Sequence, residues 1–276
     1  MQQTALRFRW INCQNFELVL PNGRHILTDP YVKDALPGHC EPHQTPFKVE
    51  DYEGADYVIV QHTHFDHDFS CGEVYNQFGC KFIVHESVAY DFGKCFDIPY
   101  TNIFTYATEG TLEFEDFTLQ TFKGHHSVNK WIAGRPSENE DGGMLHFGIA
   151  GHERLEILGT LFNSSYVLTT KENCRIAFVA GEQLQDVLPR LKALRPNLML
   201  RQFAGGPKVN ADLIADCGAA LTLPMHHETM LFRGVDVAAQ VEEVNQLLQA
   251  RGCFGRMLYP ERYRWYRYGS FMEPEA

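Results

Sequence analysis

The chain has 276 residues, of which 44% are hydrophobic and 21% are charged, as in an ordinary soluble globular protein. Its formal net charge of −11 disfavours a nucleic-acid partner, because nucleic-acid phosphates carry the same sign. No apolar run approaches the roughly 20 residues needed to cross a bilayer. The first residues lack a charged segment followed by an apolar one, so no secretory signal is expected. The eight cysteines form no Cys-x-x-Cys pair. We therefore expect a cytoplasmic protein with reduced thiols and no membrane partner, and the sequence leaves open whether it forms a homo-oligomer.

Strand and helix patterns alternate along the chain. Short strands are predicted at 6–10, 16–20, 25–28, 57–60, 81–85, 103–106, 112–114, 117–122, 165–169, 175–180, 197–203 and 221–223. Helices are predicted at 70–78, 184–194, 211–217 and 237–250. The stretch 131–161 fits neither pattern, since glycines punctuate it, and it is interpreted as an insertion or lid. No linker divides the chain, which predicts a single domain over 1–276.

The segment after the predicted strand at 57–60 concentrates imidazole and carboxylate side chains. It places three histidines and an aspartate within six positions, as His62-Thr-His64-Phe-Asp66-His67. His62 and His64 share a face of an extended segment. The chain must then turn so that Asp66 and His67 reach a second nearby position. Such clustering is costly unless a cation neutralises the carboxylate and uses the nitrogens. Imidazole with carboxylate suits Zn, Fe or Mn, so the segment predicts a metal site.

The pattern His62-x-His64-x-Asp66-His67 after a strand resembles the signature of the metallo-β-lactamase fold hydrolases. Asp29-Pro30 after an earlier strand and Pro224-x-His226 after a later one extend the resemblance along most of the chain. It is closest to the branch that contains L-ascorbate-6-phosphate lactonase. The resemblance implies an α+β fold, a four-layer αββα sandwich of two sheets with helices on both outer faces. In that family, the aspartate of Asp29-Pro30 helps to hold the loops of the site.

The resemblance also implies ligands for two divalent cations. These are His62, His64 and His126 for the first cation, and Asp66, His67, Glu182 and His226 for the second. His125 competes with His126, because both follow the strand at 117–122. Glu182 departs from the aspartate that usually bridges the two metals, so it bridges both, binds one of them, or indicates a single-metal site. Zinc is the default metal, with manganese the rival in view of the lactonase resemblance.

With such a site, the resemblance implies hydrolysis by a metal-activated hydroxide. Asp66 would orient the hydroxide and pass a proton to the leaving group. The expected substrate is a small molecule with a lactone, another ester, an amide or a phosphodiester bond. The choice among these bonds depends on loops, where the sequence is silent.

Two other functions share these ligands. One is a nuclease of the tRNA 3′-processing type, against which the acidic charge balance counts. The other is a metal-binding module without catalytic activity, for which the departure at Glu182 is the best support.

Overall fold

The computed structural model describes residues 5–32, 46–126, 149, 151–181, 184–232, 234–269 and 272–274. Contacts divide the chain into two units. The first consists of Met1–Ala107, His126–Asn163 and Arg262–Ala276, and the second of Thr108–His125 and Ser164–Glu261. Each unit holds one mixed sheet. The prediction of a single domain stays a prediction.

The first unit contains an eight-stranded sheet. Its strands are β1 (Leu6–Asn12), β2 (Asn15–Val19), β3 (His25–Thr28), β4 (Tyr57–Ile59), β5 (Lys81–His85), β6 (Ile103–Tyr106), β14 (Tyr266–Tyr268) and β15 (Met272–Pro274). They lie in the order β15-β14-β1-β2-β3-β4-β5-β6. Strands β1 to β3 form an antiparallel meander, whereas β3 to β6 run parallel. The carboxyl ends of β3, β4 and β5 therefore meet at one edge of the sheet, and the histidine motif follows β4 there.

The described residues of the first unit include four α-helices: α1 (Phe65–Asp68), α2 (Cys71–Phe78), α3 (Ala89–Phe96) and α4 (His152–Leu161). Apolar side chains of β4 and β5 pack with residues of these helices in one buried cluster, which includes Val58, Phe82, Phe92 and Leu155. Burying both faces of a parallel strand favours runs of β-branched and aromatic residues such as those of β4 and β5.

Over its described part, the second unit contains a seven-stranded sheet and four α-helices. Its strands are β7 (Gly110–Glu113), β8 (Phe117–Lys123), β9 (Ser164–Thr170), β10 (Arg175–Val179), β11 (Leu198–Gln202), β12 (Leu221–Met225) and β13 (Arg256–Met257). They lie in the order β13-β12-β11-β10-β9-β8-β7. Its helices are α5 (Leu188–Leu194), α6 (Gly206–Cys217), α7 (Glu228–Phe232) and α8 (Val237–Ala250). None of the helices in the described ranges is long and apolar enough to span a membrane.

Two of the predicted helices begin elsewhere in the structure. The helix predicted at 184–194 begins at Leu188, and the helix predicted at 211–217 begins at Gly206. In each case a proline, Pro189 or Pro207, occupies the first turn, where its fixed φ and missing N–H are tolerated. The sequence did not predict helices α1, α3, α4 and α7.

Candidate metal centre

The loop after β4 is fixed by hydrogen bonds from neighbouring strands of the first unit. The backbone N–H of Gln61 donates to Asp29 Oδ1 over 2.7 Å, just beyond the end of β3. The hydroxyl of Tyr106, at the end of β6, donates to Val60 O over 3.0 Å. Asp29 thus takes the loop-holding position that the sequence resemblance implies.

Three imidazole rings of the first unit converge at this edge of the sheet. His62 Nε2 lies 3.2 Å from His64 Nδ1, and the ring of His126 lies 4.5 Å from that of His64 and 5.1 Å from that of His62, between centroids. One ring nitrogen from each of the three lies within 4.8 Å of the other two. Nitrogens bound to one tetrahedral zinc ion are about 3.3 Å apart, given Zn–N bonds of about 2.0 Å. The three histidines therefore fit a divalent cation.

His64 is held in one orientation by helix α4. Its Nε2 lies 2.8 Å from the hydroxyl oxygen of Thr160, and that hydroxyl donates to the carbonyl of Glu156 over 3.3 Å. The Thr160 hydroxyl thus lies between the His64 ring and the carbonyl of Glu156. The other ring nitrogen of His64, Nδ1, faces His62. Burial, with repulsion from His126, lowers the pKa of His64 well below its ordinary value, so the ring is neutral, as a metal ligand must be.

Asp66 and His67 lie in the first turn of α1. His67 is fully buried, with Nδ1 3.5 Å from Asp29 Oδ2 and Nε2 3.8 Å from Asp66 Oδ1. The rings of His67 and His62 are 3.8 Å apart between centroids. A carboxylate behind a histidine nitrogen is the usual outer partner of a metal-binding imidazole. The four residues of the motif thus share one small volume.

Cys13 was not predicted to belong to this region. Its sulfur lies within 4.8 Å of a carboxylate oxygen of Asp66. The residue is buried in the turn between β1 and β2 and has a positive φ of 44°. A single cysteine in a hairpin turn carries no pattern, so the sequence gives no signal for this proximity.

The two adjacent histidines after β8 have different partners. His126 lies beside His62 and His64 in the first unit. His125 belongs to the second unit, and its Nε2 lies 2.6 Å from Asp186 Oδ2. Neighbouring residues in an extended segment point to opposite sides. Of the two candidates that the sequence left open, His126 therefore has the geometry of the third ligand.

The remaining two predicted ligands are His226 and Glu182. His226 follows β12 in the second unit, with a positive φ of 54° and Nδ1 3.8 Å from Glu228 Oε2. Glu182 lies outside the described residues, as do 131–148 of the predicted insertion or lid. The described end of that stretch is α4, whose residues 152, 155, 156, 159 and 160 are buried.

A buried acid–base cluster lies behind the motif, between α1 and α4. His152 Nε2 lies 2.7 Å from Asp68 Oδ1, and His152 Nδ1 lies 3.6 Å from Glu156 Oε1. Burial by itself would lower the pKa of His152, but the charge and hydrogen bond of Asp68 raise it from 6.5 to about 8. Burial raises the pKa of Glu156 to about 8. His152 and Glu156 therefore bind their protons more tightly in the folded protein than in the unfolded chain.

The metal-free protein is expected to lose stability as the pH rises from about 6 to 9. The pKa of His152 is raised in the folded state. Its contribution to the free energy of unfolding is therefore complete below pH 6.5 and is lost as the pH rises through about 8. The shift corresponds to about 2 kcal/mol. Urea unfolding at a series of pH values checks this, and His152→Gln should give a shallower slope between pH 6.5 and 8. An equal slope in the variant would contradict this role for His152.

Comparison with solved structures shows that the chain has the metallo-β-lactamase fold, so the predicted α+β fold class is confirmed. A metallo hydrolase from the hyperthermophilic archaeon Ignicoccus hospitalis has a TM-score of 0.66 and 13% identity, over 96% of this chain and 99% of that chain. An isothiocyanate hydrolase from Delia radicum gut bacteria has a TM-score of 0.65 and 17% identity, over 97% and 100%. The metallo-β-lactamase fold protein YhfI from Bacillus subtilis has a TM-score of 0.58 and 13% identity, over 96% and 100%.

No protein family model and no curated protein matches the chain. The resemblance to the lactonase-like branch therefore stays a prediction.

Proposed function

We propose that this chain is a metal-dependent hydrolase of small molecules. The observation that carries the proposal is the convergence of His62, His64 and His126, with one nitrogen of each within 4.8 Å of the other two. The fold supports it as well, since two of the similar solved structures are hydrolases. Zinc suits the imidazole donors, and manganese is the rival.

Residues of the first unit would have different roles in such a site. His62, His64 and His126 would bind a divalent cation, which on binding supplies a Lewis acid that lowers the pKa of water and polarises a substrate oxygen. Asp66, buried beside His67, would orient the attacking water through its carboxylate and receive a proton from it. Asp29 and Thr160 hold the rings of His67 and His64 from behind.

A second cation completes the proposal. Asp66 and His67 would hold it, together with Glu182 and His226, as the sequence resemblance implies. The substrate is proposed to be a lactone, another ester, an amide or a phosphodiester, with a lactone favoured by that same resemblance. The acidic net charge supports a small molecule over a nucleic acid.

A hydrolysis panel on the zinc- or manganese-loaded protein tests this function. The panel contains a γ-lactone, a nitrophenyl ester, a nitrophenyl phosphodiester, an isothiocyanate and labelled RNA. We expect turnover of at least one small molecule, its loss on chelation, and a kcat at least about 100-fold lower in Asp66→Asn, since a positioned acid–base group typically contributes that much. Bound metal without turnover would favour a binding module, and chelator-sensitive cleavage of RNA alone would favour a nuclease. Either result would overturn the proposal.

A further inference from the structure

We propose that α4 is an outer support of the metal centre and that Thr160 is a positioning residue for His64. The inference rests on the proposed function, because it concerns the cation that His64 would bind. Thr160 is not one of the proposed ligands, and α4 was not predicted from the sequence.

One face of α4 contacts the motif loop along its length. Residues 152, 155, 156, 159 and 160 are the buried ones, and their spacing puts them on a single stripe of the helix. The carbonyl of Leu155 accepts a hydrogen bond from the Thr63 hydroxyl over 2.8 Å. A Cβ on Gly159 would lie 2.8 Å from the carbonyl carbon of Thr63, so the helix and the loop are in backbone contact. The helix thus touches the segment that carries His62 and His64.

Two polar side chains of α4 extend this contact to the motif. Glu156 Oε1 accepts from the backbone N–H of Phe65 over 2.6 Å. Phe65 is the first residue of α1, where the backbone N–H has no partner inside the helix. Glu156 therefore stabilises the first turn of α1, which positions Asp66.

Thr160 acts on His64 itself. Its hydroxyl proton is donated to the carbonyl of Glu156, so its oxygen accepts the N–H at His64 Nε2, 2.8 Å away. This fixes the tautomer with a proton on Nε2 and a lone pair on Nδ1. His64 Nδ1 is the nitrogen that lies 3.2 Å from His62 Nε2. The hydroxyl of Thr160 thus determines which nitrogen of His64 is offered to a cation.

A packing role and a positioning role make different predictions for two substitutions. Thr160→Val keeps the shape of the side chain but removes the acceptor. Thr160→Ser keeps the acceptor but removes a methyl group. If packing matters, serine is the worse substitution, whereas if the hydrogen bond matters, valine is the worse one.

The test titrates metal-free protein with Zn²⁺ in competition with a chromophoric chelator. We expect Thr160→Val to weaken zinc binding about 10- to 100-fold, the usual cost of losing an outer partner of a metal-binding histidine, and Thr160→Ser to stay within about 3-fold of the parent. Thr170→Val is the matched control, since it removes another buried hydroxyl, which accepts a hydrogen bond from the backbone N–H of Cys174 in the β9–β10 turn. Thermal unfolding of each variant reports on folding.

A second measurement needs no substitution. The metal-free protein is labelled with ¹⁵N at its histidines. Its NMR spectrum should show that the ring proton of His64 is on Nε2. A proton on Nδ1 would overturn the inference, and so would zinc affinity equal to the parent in Thr160→Val, or an equal loss in Thr160→Ser. Absence of zinc binding in the parent itself would instead overturn the proposed function. The two failures are therefore distinguishable.

Discussion

Replacing His126 by alanine is expected to lower the affinity for zinc at least about 100-fold, more than the loss of an outer partner costs. His126 is one of three imidazoles whose nitrogens lie within 4.8 Å of one another. With only His62 and His64 left, a tetrahedral ion would have to complete its coordination with water. Competition titration against a chelator gives the affinity, and hydrolysis should fall with metal occupancy.

His125→Ala is the matched control for this substitution. It removes the adjacent histidine, which pairs with Asp186 over 2.6 Å rather than with the other two imidazoles. We expect its zinc affinity to stay within about 3-fold of the parent, since it removes neither a ligand nor an outer partner. The opposite ranking of the two variants would show that His125 is the ligand.

Replacing Gly159 by alanine is expected to destabilise the protein by about 1–3 kcal/mol and to weaken metal binding. In an exposed helix the same change stabilises by about 1 kcal/mol. Here the new Cβ would lie 2.8 Å from the carbonyl carbon of Thr63, 2.9 Å from its backbone nitrogen and 2.9 Å from His64 Cδ2. Overpacking against a backbone costs about 1–3 kcal/mol or more, because neither partner can rotate away. The strain therefore outweighs the gain in helix propensity.

Gly72→Ala provides the control for this second prediction. Gly72 lies in α2, and a Cβ there would meet its nearest neighbour, Phe96 O, at 3.4 Å, which is ordinary contact. Urea unfolding should show Gly72→Ala as stable as the parent or more stable, and Gly159→Ala as less stable. If Gly159→Ala raised stability and kept the zinc affinity, α4 would not press against the motif loop.

Much of the fold, and the clustering of the motif side chains at the end of β4, could be predicted from the sequence. His62, His64, Asp66 and His67 form a local pattern, since one strand end places all four, and the strands before and after it have clear β-branched and aromatic runs. The preference for His126 over His125 depended on the family resemblance alone, because strand periodicity does not say which side of the sheet faces the site.

Helix α4 could not be predicted because its buried and exposed faces reverse the usual pattern. Its buried stripe includes His152, Glu156 and Thr160, whereas Ile157 and Leu161 are 41% and 52% exposed. Hydrophobic periodicity detects helices that bury apolar side chains, so it misses a helix whose buried face hydrogen-bonds to a loop. Such polar burial is expected where an element supports a site rather than a core.

If the imidazoles of His62, His64 and His126 bind a divalent metal ion, freshly purified protein should contain that ion. Elemental analysis measures the metal content, with the triple alanine variant of these residues as the comparison. We expect at least one equivalent of zinc or manganese per chain in the parent and almost none in the variant. A parent protein that stays metal-free after incubation with both ions, or a variant that retains the same metal content, would contradict the claim.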